Sequence, residues 1–456
     1  MQDYYTEQKI LLTGATGFLG KIILHQLLKT KVRKVFLIVR PREGQTPHSR
    51  IEALFAEDPF QRTVDSRIVV LEGDISKPRL GLSHVDEAYL RSEVSVYINN
   101  AASVRFEHSL RSVVELNLIS TLEALLLAKS WPRLNCFVYV STAYSNCPLA
   151  VVQEKVYRHI FVSLENLLRA YETDPASLSK WNLRGHPNTY TFSKQHAEAL
   201  VASSGLPHVI VRPPTIVGSL AAPSRGWVDN FNGFNSLILL SEIGRNLPLH
   251  AAMNSPMAVA PVDVCANVVL GAAWRRNVRP ENLVYNCSDS RTAPSMATIG
   301  RAINSALEHQ VPSRKLRLTS SRIRSELIFI FLFLIPALLK QFFNILTRNP
   351  DRPLRKVLRG KVRCAMVEYF TSTTIFFEYK NVRELSEEIP PHERHIFNTD
   401  LSAIDWPTFL QDSALCLWRF AEDRKARRRN TEMSISDGNN RAATTNGVQD
   451  PATTKL

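Results

Sequence analysis

The chain of 456 residues has few cysteines and no arrangement of them that suits a metal. Its six cysteines form no CxxC pair, which indicates ordinary core thiols in a reducing compartment and predicts no metal site. Zinc-finger spacing, RNA-binding signatures and basic heptad repeats are also missing, so nucleic acid is not an expected partner. The formal net charge of +14 then points to an anionic membrane surface or a polyanionic substrate.

The sequence also lacks an uninterrupted apolar run of about 20 residues, the length needed to span a membrane. The longest such run is "LIFIFLFLIPALL", Leu327 to Leu339, which contains Pro336. Three interpretations stay open: a buried core or lid helix, a helix inserted into the membrane interface, or a span that continues through "FFNIL". Arg322, Arg324 and Arg348 flank the run and suit lipid headgroups.

A glycine-rich stretch, "KILLTGATGFLG", starts at Lys9. An apolar run that suits a buried strand precedes the glycines, and apolar residues at helical spacing follow them. Gly14, Gly17 and Gly20 permit a tight turn and the close approach of backbone N–H groups to a ligand. Because the N-terminus of a helix favours anions, the pattern predicts a site for the pyrophosphate of a dinucleotide.

Apolar runs alternate with helical segments as far as about residue 290. These runs are "KILLTG", "KVFLIV", "RIVVLEGD", "VSVYINNAA", "CFVYVSTAY" and "HVIVRPPTIVG". Such alternation indicates a parallel sheet covered by helices on both faces. The predicted fold class is α/β: a Rossmann-type doubly wound parallel sheet with a smaller, mostly helical C-terminal substrate region.

Two short motifs carry the predicted chemistry. "YVSTAY" places Ser141 and Thr142 at the end of a strand, and "NTYTFSK" places Tyr190 and Lys194 one helical turn apart. A phenol has an ordinary pKa of about 10, and a neighbouring ammonium is expected to lower it. Tyr190 then serves as a general acid, and Ser141 or Thr142 donates a hydrogen bond to the same substrate oxygen.

The choice of cofactor depends on the end of the second strand, "IVRPREG". An NAD site usually has a carboxylate there, whereas arginine accommodates a 2′-phosphate. Arg40 and Arg42 come first and Glu43 is the first acid, so NADPH is predicted. The predicted cofactor-binding residues are Thr13, Gly14, Gly17, Phe18, Leu19, Gly20, Arg40, Arg42, Asp74, Ile75, Asn100, Ala101, Ala102, Tyr190, Lys194 and Pro213.

Together with "NNAASVRFEHSLRSVVELNLISTLEAL", "HPNTYTFSKQHAE", "GWVDN" and "PVDVCANVVLGAAW", these motifs resemble the fatty acyl-CoA reductases, a branch of the extended short-chain dehydrogenases. The resemblance is weaker in "FEYKNVRELSEEIP" and "FNTDLSAIDW", and it covers most of residues 9 to 410. It implies an NADPH-binding domain, a C-terminal region that shapes an acyl tunnel, and reduction of a long-chain fatty acyl-CoA, through an aldehyde, to a primary alcohol.

Two other functions fit part of the pattern. A sugar-nucleotide epimerase or a hydroxysteroid-type dehydrogenase uses the same tyrosine and lysine chemistry. A non-catalytic NADPH-binding protein anchored to a membrane would keep the glycine-rich loop but would not need Tyr190.

Four segments are predicted along the chain. Residues 1–290 form the NADPH-binding reductase domain, 291–348 a helical region with the apolar segment 327–339, 349–422 a C-terminal acyl-reductase-like domain, and 423–456 a basic, then polar, disordered tail. The first strand starts too near Met1 for a cleaved secretory signal. We expect an intracellular protein at the cytosolic face of a membrane, with endoplasmic reticulum and peroxisome both open. The sequence does not indicate an oligomeric state.

Overall fold

We analysed a computed structural model of the chain, which describes residues 1–57, 59–157, 163–231, 235, 246–308, 310 and 315–445. Its thirteen described strands are β1 Lys9–Thr13, β2 Lys34–Val39, β3 Ile68–Glu72, β4 Val96–Asn99, β5 Cys136–Val140, β6 Val151–Val152, β7 His208–Arg212, β8 Thr215–Val217, β9 Pro248–His250, β10 Val259–Pro261, β11 Val284–Asn286, β12 Arg317–Thr319 and β13 Phe376–Phe377.

The central sheet has seven strands in the order β11-β7-β5-β4-β1-β2-β3, and every pairing is parallel. The order reverses beside β1, as it does in doubly wound sheets. Strands β1, β4, β5 and β7 are almost entirely buried because helices cover both faces. The predicted fold class is confirmed, although sequence analysis missed β11, whose three residues are too few for a periodic signal.

The described α-helices are α1 Gln2–Thr6, α2 Phe18–Lys29, α3 Pro47–Ala56, α4 His84–Glu93, α5 Leu110–Val113, α6 Ser120–Ala128, α7 Leu164–Thr173, α8 Thr189–Ser203, α9 Val262–Val278, α10 Met296–Glu308, α11 Arg322–Phe329, α12 Ile335–Leu346, α13 Pro353–Ser372, α14 Lys380–Glu388 and α15 Trp406–Thr445. Helices α2 and α9 pack together on one face of the sheet, while α6 and α8 belong to the apolar core of the other face. This arrangement leaves the carboxyl ends of β1, β4 and β5 for a ligand.

The C-terminal part of the chain packs against the sheet domain as well as forming its own core. Helix α14 contacts α9 and β11, and Arg275 of α9 pairs with Glu384 and Glu388 of α14 at 2.8 and 2.9 Å. A second apolar core joins α10, α13 and α15. The segment boundaries given above remain predictions, and the packing runs across those at residues 290 and 348.

The apolar segment is not buried, so the buried-core interpretation was wrong. Arg322–Leu346 is one helix of 25 residues that is, by length and composition, long and apolar enough to cross a membrane. It contains one π-helical turn, Ile330–Leu334. Pro336 has no N–H and would clash with an ordinary α-helical carbonyl, so the wider turn accommodates it without a break.

The last helix corrects the predicted start of the disordered tail. Helix α15 runs to Thr445, well beyond residue 423, while residues 446–456 lie outside the described part of the chain. The stretch "AEDRKARRR" is rich in good helix formers and directly continues a helix whose residues Phe409, Leu410 and Ala414 are buried. Polar composition alone was therefore a poor guide here.

Candidate active site

The glycine-rich loop has the shape that an anion cradle requires. Gly14 adopts φ +72°, and Gly17 caps the N-terminus of α2. A Cβ on Gly20 would lie 2.0 Å from the carbonyl oxygen of Gly14, and one on Gly14 would lie 2.9 Å from the backbone of Ala101. The turn therefore closes only with glycine at these positions, which fits a dinucleotide pyrophosphate lying against the first N–H groups of α2.

The ends of β1 and β4 are held together next to this loop. The Thr13 hydroxyl donates to Oδ1 of Asn99 at 3.1 Å and accepts from the backbone N–H groups of Asn100 and Ala101 at 3.2 Å. The Asn100 side chain donates to the Gly14 carbonyl at 3.3 Å. The polar residues predicted at these strand ends thus meet at one edge of the sheet, although Thr13 and Asn99 are themselves buried.

Basic residues gather where β2 ends. Arg40 and Arg42 are exposed, and Nη1 of Arg40 lies 3.8 Å from the carboxylate of Asp74, which follows β3. Arg50 of α3 donates to the Arg40 carbonyl. Burial, and then the neighbouring charges of Arg42 and Arg40, lower the pKa of Arg50. Three guanidinium groups therefore lie near one another at the end of β2, as an anion site requires. Sequence analysis missed Arg50 because it lies in the following helix, α3.

Helix α8 places Tyr190 opposite Thr142. Asn188 caps the helix, accepting from the Thr191 N–H at 2.9 Å, so that Tyr190 and Lys194 lie in its first two turns. Tyr190 is partly exposed, and burial raises its pKa to about 12, an effect that the neighbouring Thr142 hydroxyl opposes. Of the two hydroxyls predicted at the end of β5, Thr142 is the one that meets the phenol.

Ser141 faces the other way, into a buried ionic network. Its hydroxyl donates to Oε1 of Glu198 at 2.6 Å. Arg212 pairs with the same carboxylate at 2.6 Å, and both charged side chains are buried. Ser145 also donates to Glu198, at 2.8 Å. Sequence analysis missed this network, although Glu198 follows Lys194 by one helical turn and that spacing was its only signal.

Lys194 does not occupy the position expected from its sequence spacing. Its ammonium donates to the Val140 carbonyl at 2.6 Å and lies 4.2 Å from the centre of the Tyr139 ring. Burial lowers the pKa of Lys194 to about 7, with an opposing effect of Glu198. The prediction that Lys194 lowers the pKa of Tyr190 is wrong for this structure, because burial raises that pKa and Thr142 is the group that opposes the rise.

An aromatic wall borders Tyr190 and includes residues from the C-terminal region. Phe106 lies 6.0 Å from the Tyr190 ring, and Phe370 of α13 lies 5.8 Å from Phe106 and 4.7 Å from Tyr144. Strand β13 pairs with β6 beside this wall. Tyr190 therefore lies beside an apolar aromatic surface, which suits an acyl chain better than a polar sugar.

Four other residues predicted to bind the cofactor make mainly packing and backbone contacts. Leu19 is buried in the core below the loop, and Ile75 is half-buried after β3. Phe18 stacks on Trp227 with ring centres 5.6 Å apart. Pro213 accepts the N–H of Ala143 at 2.9 Å and so fixes the turn after Thr142. These four residues thus make mainly structural contacts.

This fold and site define a nicotinamide-dependent oxidoreductase of the short-chain dehydrogenase class. A sequence profile described as "Male sterility protein" matches residues 12–269, and a second with the same description matches residues 332–422. Human fatty acyl-CoA reductase 1 is 32% identical over 437 residues, 91% of this chain and 84% of the relative. The Drosophila melanogaster fatty acyl-CoA reductase wat is 29% identical, with 91% and 84% covered. The chain belongs to the fatty acyl-CoA reductase family.

Solved structures share the fold. The terminal R domain from the myxalamid PKS-NRPS biosynthetic pathway has a TM-score of 0.58 and 21% identity, with 90% of this chain and 89% of that chain covered. The Bordetella bronchiseptica enzyme WbmF, solved in complex with NADH, has a TM-score of 0.52 and 13% identity, with 95% and 98% covered. At these identities the comparison establishes the Rossmann-type architecture.

The buried Lys194 amine makes stability depend on pH. Its folded pKa of about 7 lies below the unfolded value of about 10.4, so between these pH values the unfolded chain binds the extra proton. Stability of the cofactor-free protein therefore rises through this window by about 1.4 kcal/mol per pH unit from this group. We expect Lys194→Met to lose that rise, measured as the free energy of unfolding in urea at pH 7, 8 and 9. Lys31→Met, a substitution at an exposed position, serves as the control. If the free energy of unfolding changed with pH in the same way in wild type and Lys194→Met, the lowered pKa of Lys194 would be contradicted.

Proposed function

We propose that this protein reduces a long-chain fatty acyl-CoA thioester, through an aldehyde, to a primary alcohol, using two NADPH and releasing coenzyme A. The observation that carries the proposal is the pairing of Thr142 with Tyr190 beside an apolar aromatic wall. Membership of the fatty acyl-CoA reductase family supports the substrate class. An epimerase acting on a nucleotide sugar would need polar partners for hydroxyl groups where Phe106 and Phe370 stand.

The first reduction needs an acid and a hydrogen-bond donor at the thioester oxygen. The nicotinamide cofactor supplies hydride when it is bound. Tyr190 donates its phenolic proton to the oxygen as negative charge develops there, and the Thr142 hydroxyl donates a second hydrogen bond. The product is a hemithioacetal, whose collapse breaks the C–S bond and releases coenzyme A thiol and the aldehyde. Lys194 lies within the same helix and supplies positive charge whenever it is protonated.

The second reduction uses the same groups. The aldehyde accepts a second hydride at carbon and a second proton at oxygen, which gives the primary alcohol. The two steps together consume two hydrides and two protons. Because an aldehyde oxygen occupies the same position as the thioester oxygen, no further catalytic residue is needed. Release of aldehyde in place of alcohol then depends on how long the aldehyde stays against the aromatic wall.

We propose NADPH over NADH because of the arginine cluster at the end of β2. Arg40, Arg42 and Arg50 offer guanidinium groups to a 2′-phosphate, and arginine matches phosphate geometry. Asp74 pairs with Arg40 at 3.8 Å. Burial first, and then the charges of Arg42 and Arg40, lower the pKa of Arg50, and a bound phosphate would relieve the repulsion among the three cations.

We also propose that the protein lies on the cytosolic face of an intracellular membrane, attached through Arg322–Leu346. Leu339, Phe342 and Phe343 are exposed there, while Ser325 and Asn344 are buried against the protein body. One side of the helix is thus held by the protein along its length, which favours a helix lying in the interface over one that crosses the bilayer. Endoplasmic reticulum and peroxisome fit equally.

The reaction is tested by incubating purified protein with NADPH and a panel of acyl-coenzyme A thioesters, with products identified by mass spectrometry. We expect a long-chain ester to give the alcohol, with two NADPH oxidised per alcohol and coenzyme A released in equal amount. Turnover of a nucleotide sugar or a sterol, together with no product from any thioester, would contradict the proposal.

The two hydroxyls after β5 are expected to behave differently. Thr142→Val removes a donor from the reacting oxygen and should lower kcat about 100-fold, and it also removes the acceptor of the Tyr144 N–H, so that some stability is lost as well. Ser141→Ala leaves the Tyr190 and Thr142 pair intact and should lower stability by about 1–3 kcal/mol, because buried Glu198 loses a partner. Thr142→Ser is the matched control that keeps the donor. A larger loss of kcat in Ser141→Ala than in Thr142→Val would reverse the assignment.

The arginine cluster is tested through cofactor preference. Arg50→Met should lower kcat/KM for NADPH about 10-fold or more and leave that for NADH nearly unchanged, because only NADPH carries the 2′-phosphate. Arg33→Met, an exposed substitution at the opposite end of β2, is the control. Equal losses with both cofactors would assign Arg50 a structural role.

A further inference from the structure

A cavity of about 640 Å³ lies beside helix α7, outside the site described above. Its walls come from α7, from the 3₁₀ helix Pro175–Lys180 and from the segment that leads into α8. The residues assigned above to the cofactor and to the reaction do not line it. The volume is in the range of small-molecule sites, so this α7 cavity is large enough for a nucleotide.

Two arginines give the α7 cavity its charge. Arg169 and Arg184 both line it and are exposed, and within the described part of the chain neither forms an ion pair with a carboxylate. Arg169 uses one amino group to donate to the Asn166 side chain at 3.0 Å. The two guanidinium groups outnumber Asp174, the carboxylate among the described residues of the wall. They therefore retain donors for a ligand, and guanidinium matches phosphate geometry.

The backbone of Arg184 is strained. Its φ is +51°, in the left-handed region that favours glycine, and the Asn182 side chain accepts its N–H at 2.8 Å. An exposed arginine here costs stability that glycine would not cost, and such strain gathers where a side chain is needed for binding. The conformation therefore indicates that the Arg184 side chain has a use at the cavity.

The wall also offers a surface to a nucleobase. Trp181 lines the cavity, and its ring packs against the apolar core on the sheet face that holds α6 and α8. An aromatic ring held in place by a core suits stacking with a base. Asp174 is an acceptor for an exocyclic amine such as that of adenine. Cations and an aromatic ring in one cavity therefore fit an adenosine phosphate.

The α7 cavity lies within reach of the catalytic tyrosine. Helix α7 packs against α8, which carries Tyr190, and the 3₁₀ helix packs against α5. Tyr190 follows Arg184 by six residues, which span at most about 22 Å even when fully extended. The arm of coenzyme A between its sulfur and its adenosine covers a distance of this order. A thioester at Tyr190 can therefore place its adenosine in the cavity.

Resting on the proposed function, we infer that the α7 cavity binds the adenosine end of coenzyme A. Arg169 and Arg184 contact the 3′- and 5′-phosphates, and Trp181 stacks on the adenine. The protein then holds two adenosine phosphates at separate places: that of NADPH, with its 2′-phosphate, at the end of β2, and that of the substrate beside α7. The position of the extra phosphate on the ribose distinguishes the two ligands.

The inference is tested by comparing palmitoyl-coenzyme A with palmitoyl-pantetheine, which lacks the nucleotide. Arg184→Gln should lower kcat/KM for the coenzyme A ester about 10-fold and leave that for the pantetheine ester within about twofold, because only the former carries the phosphates. Lys180→Gln removes the same charge at an exposed neighbour that does not line the cavity, and it is the matched control. It should change neither value more than about twofold.

Competition distinguishes the α7 cavity from the cofactor site. Adenosine 3′,5′-bisphosphate should compete with palmitoyl-coenzyme A, and its inhibition constant should rise about 10-fold in Arg184→Gln. Adenosine 2′,5′-bisphosphate should compete with NADPH, with the same inhibition constant in wild type and Arg184→Gln. Affinity for NADPH, measured by fluorescence titration, should equal that of wild type in Arg184→Gln and so shows that the variant is folded.

The possible results separate the two proposals. A loss confined to the coenzyme A ester supports the α7 cavity as its adenosine site. Equal losses with both esters, an unchanged kcat/KM in Arg184→Gln, or inhibition by adenosine 3′,5′-bisphosphate through the NADPH site alone would overturn that assignment and leave the reaction in place. Failure of wild type to reduce either ester would instead overturn the proposed function itself.

Discussion

The Lys194 amine is buried at the end of strand β5, where it donates to the Val140 carbonyl and lies over the Tyr139 ring. A buried ammonium needs negative charge or oriented dipoles nearby. The structure supplies the carbonyl and, one helical turn along α8, the carboxylate of Glu198. Arg212 neutralises most of that carboxylate. Burial lowers the pKa of this amine to about 7, and the Glu198 carboxylate opposes the shift.

The same network decides which hydroxyl faces the substrate. Because Glu198 and Arg212 are both buried, the carboxylate needs every donor around it, and Ser141 and Ser145 turn towards it. Ser141 and Thr142 are neighbours after β5, so their side chains point in different directions. With Ser141 turned towards Glu198, Thr142 is the one that faces Tyr190. The buried ion pair thus turns Ser141 towards Glu198 and leaves Thr142 as the hydroxyl beside Tyr190.

Sequence predicted the doubly wound sheet, the glycine turn and the tyrosine of the site because each depends on local spacing: three glycines at intervals of three, apolar strands, and a pair four residues apart. It did not predict Arg50 or Arg212, which reach the site from separate elements. It also gave the wrong sign for the Tyr190 pKa, since burial raises that pKa and the extent of burial cannot be judged before the fold is known. The burial of the apolar helix was misjudged because the run from Leu327 to Leu339 is shorter than a membrane span, whereas the helix that contains it runs from Arg322 to Leu346 and is largely exposed.

The central claim is that Tyr190 protonates a substrate oxygen while hydride is added to the neighbouring carbon. Its most direct test uses NADPH deuterated at the transferable position and follows deuterium at C1 of the product alcohol by mass spectrometry. The account predicts two deuterium atoms per alcohol with wild type, and a rate of label transfer reduced by at least about 100-fold in Tyr190→Phe at unchanged affinity for NADPH. Label transfer by Tyr190→Phe at the wild-type rate would contradict it.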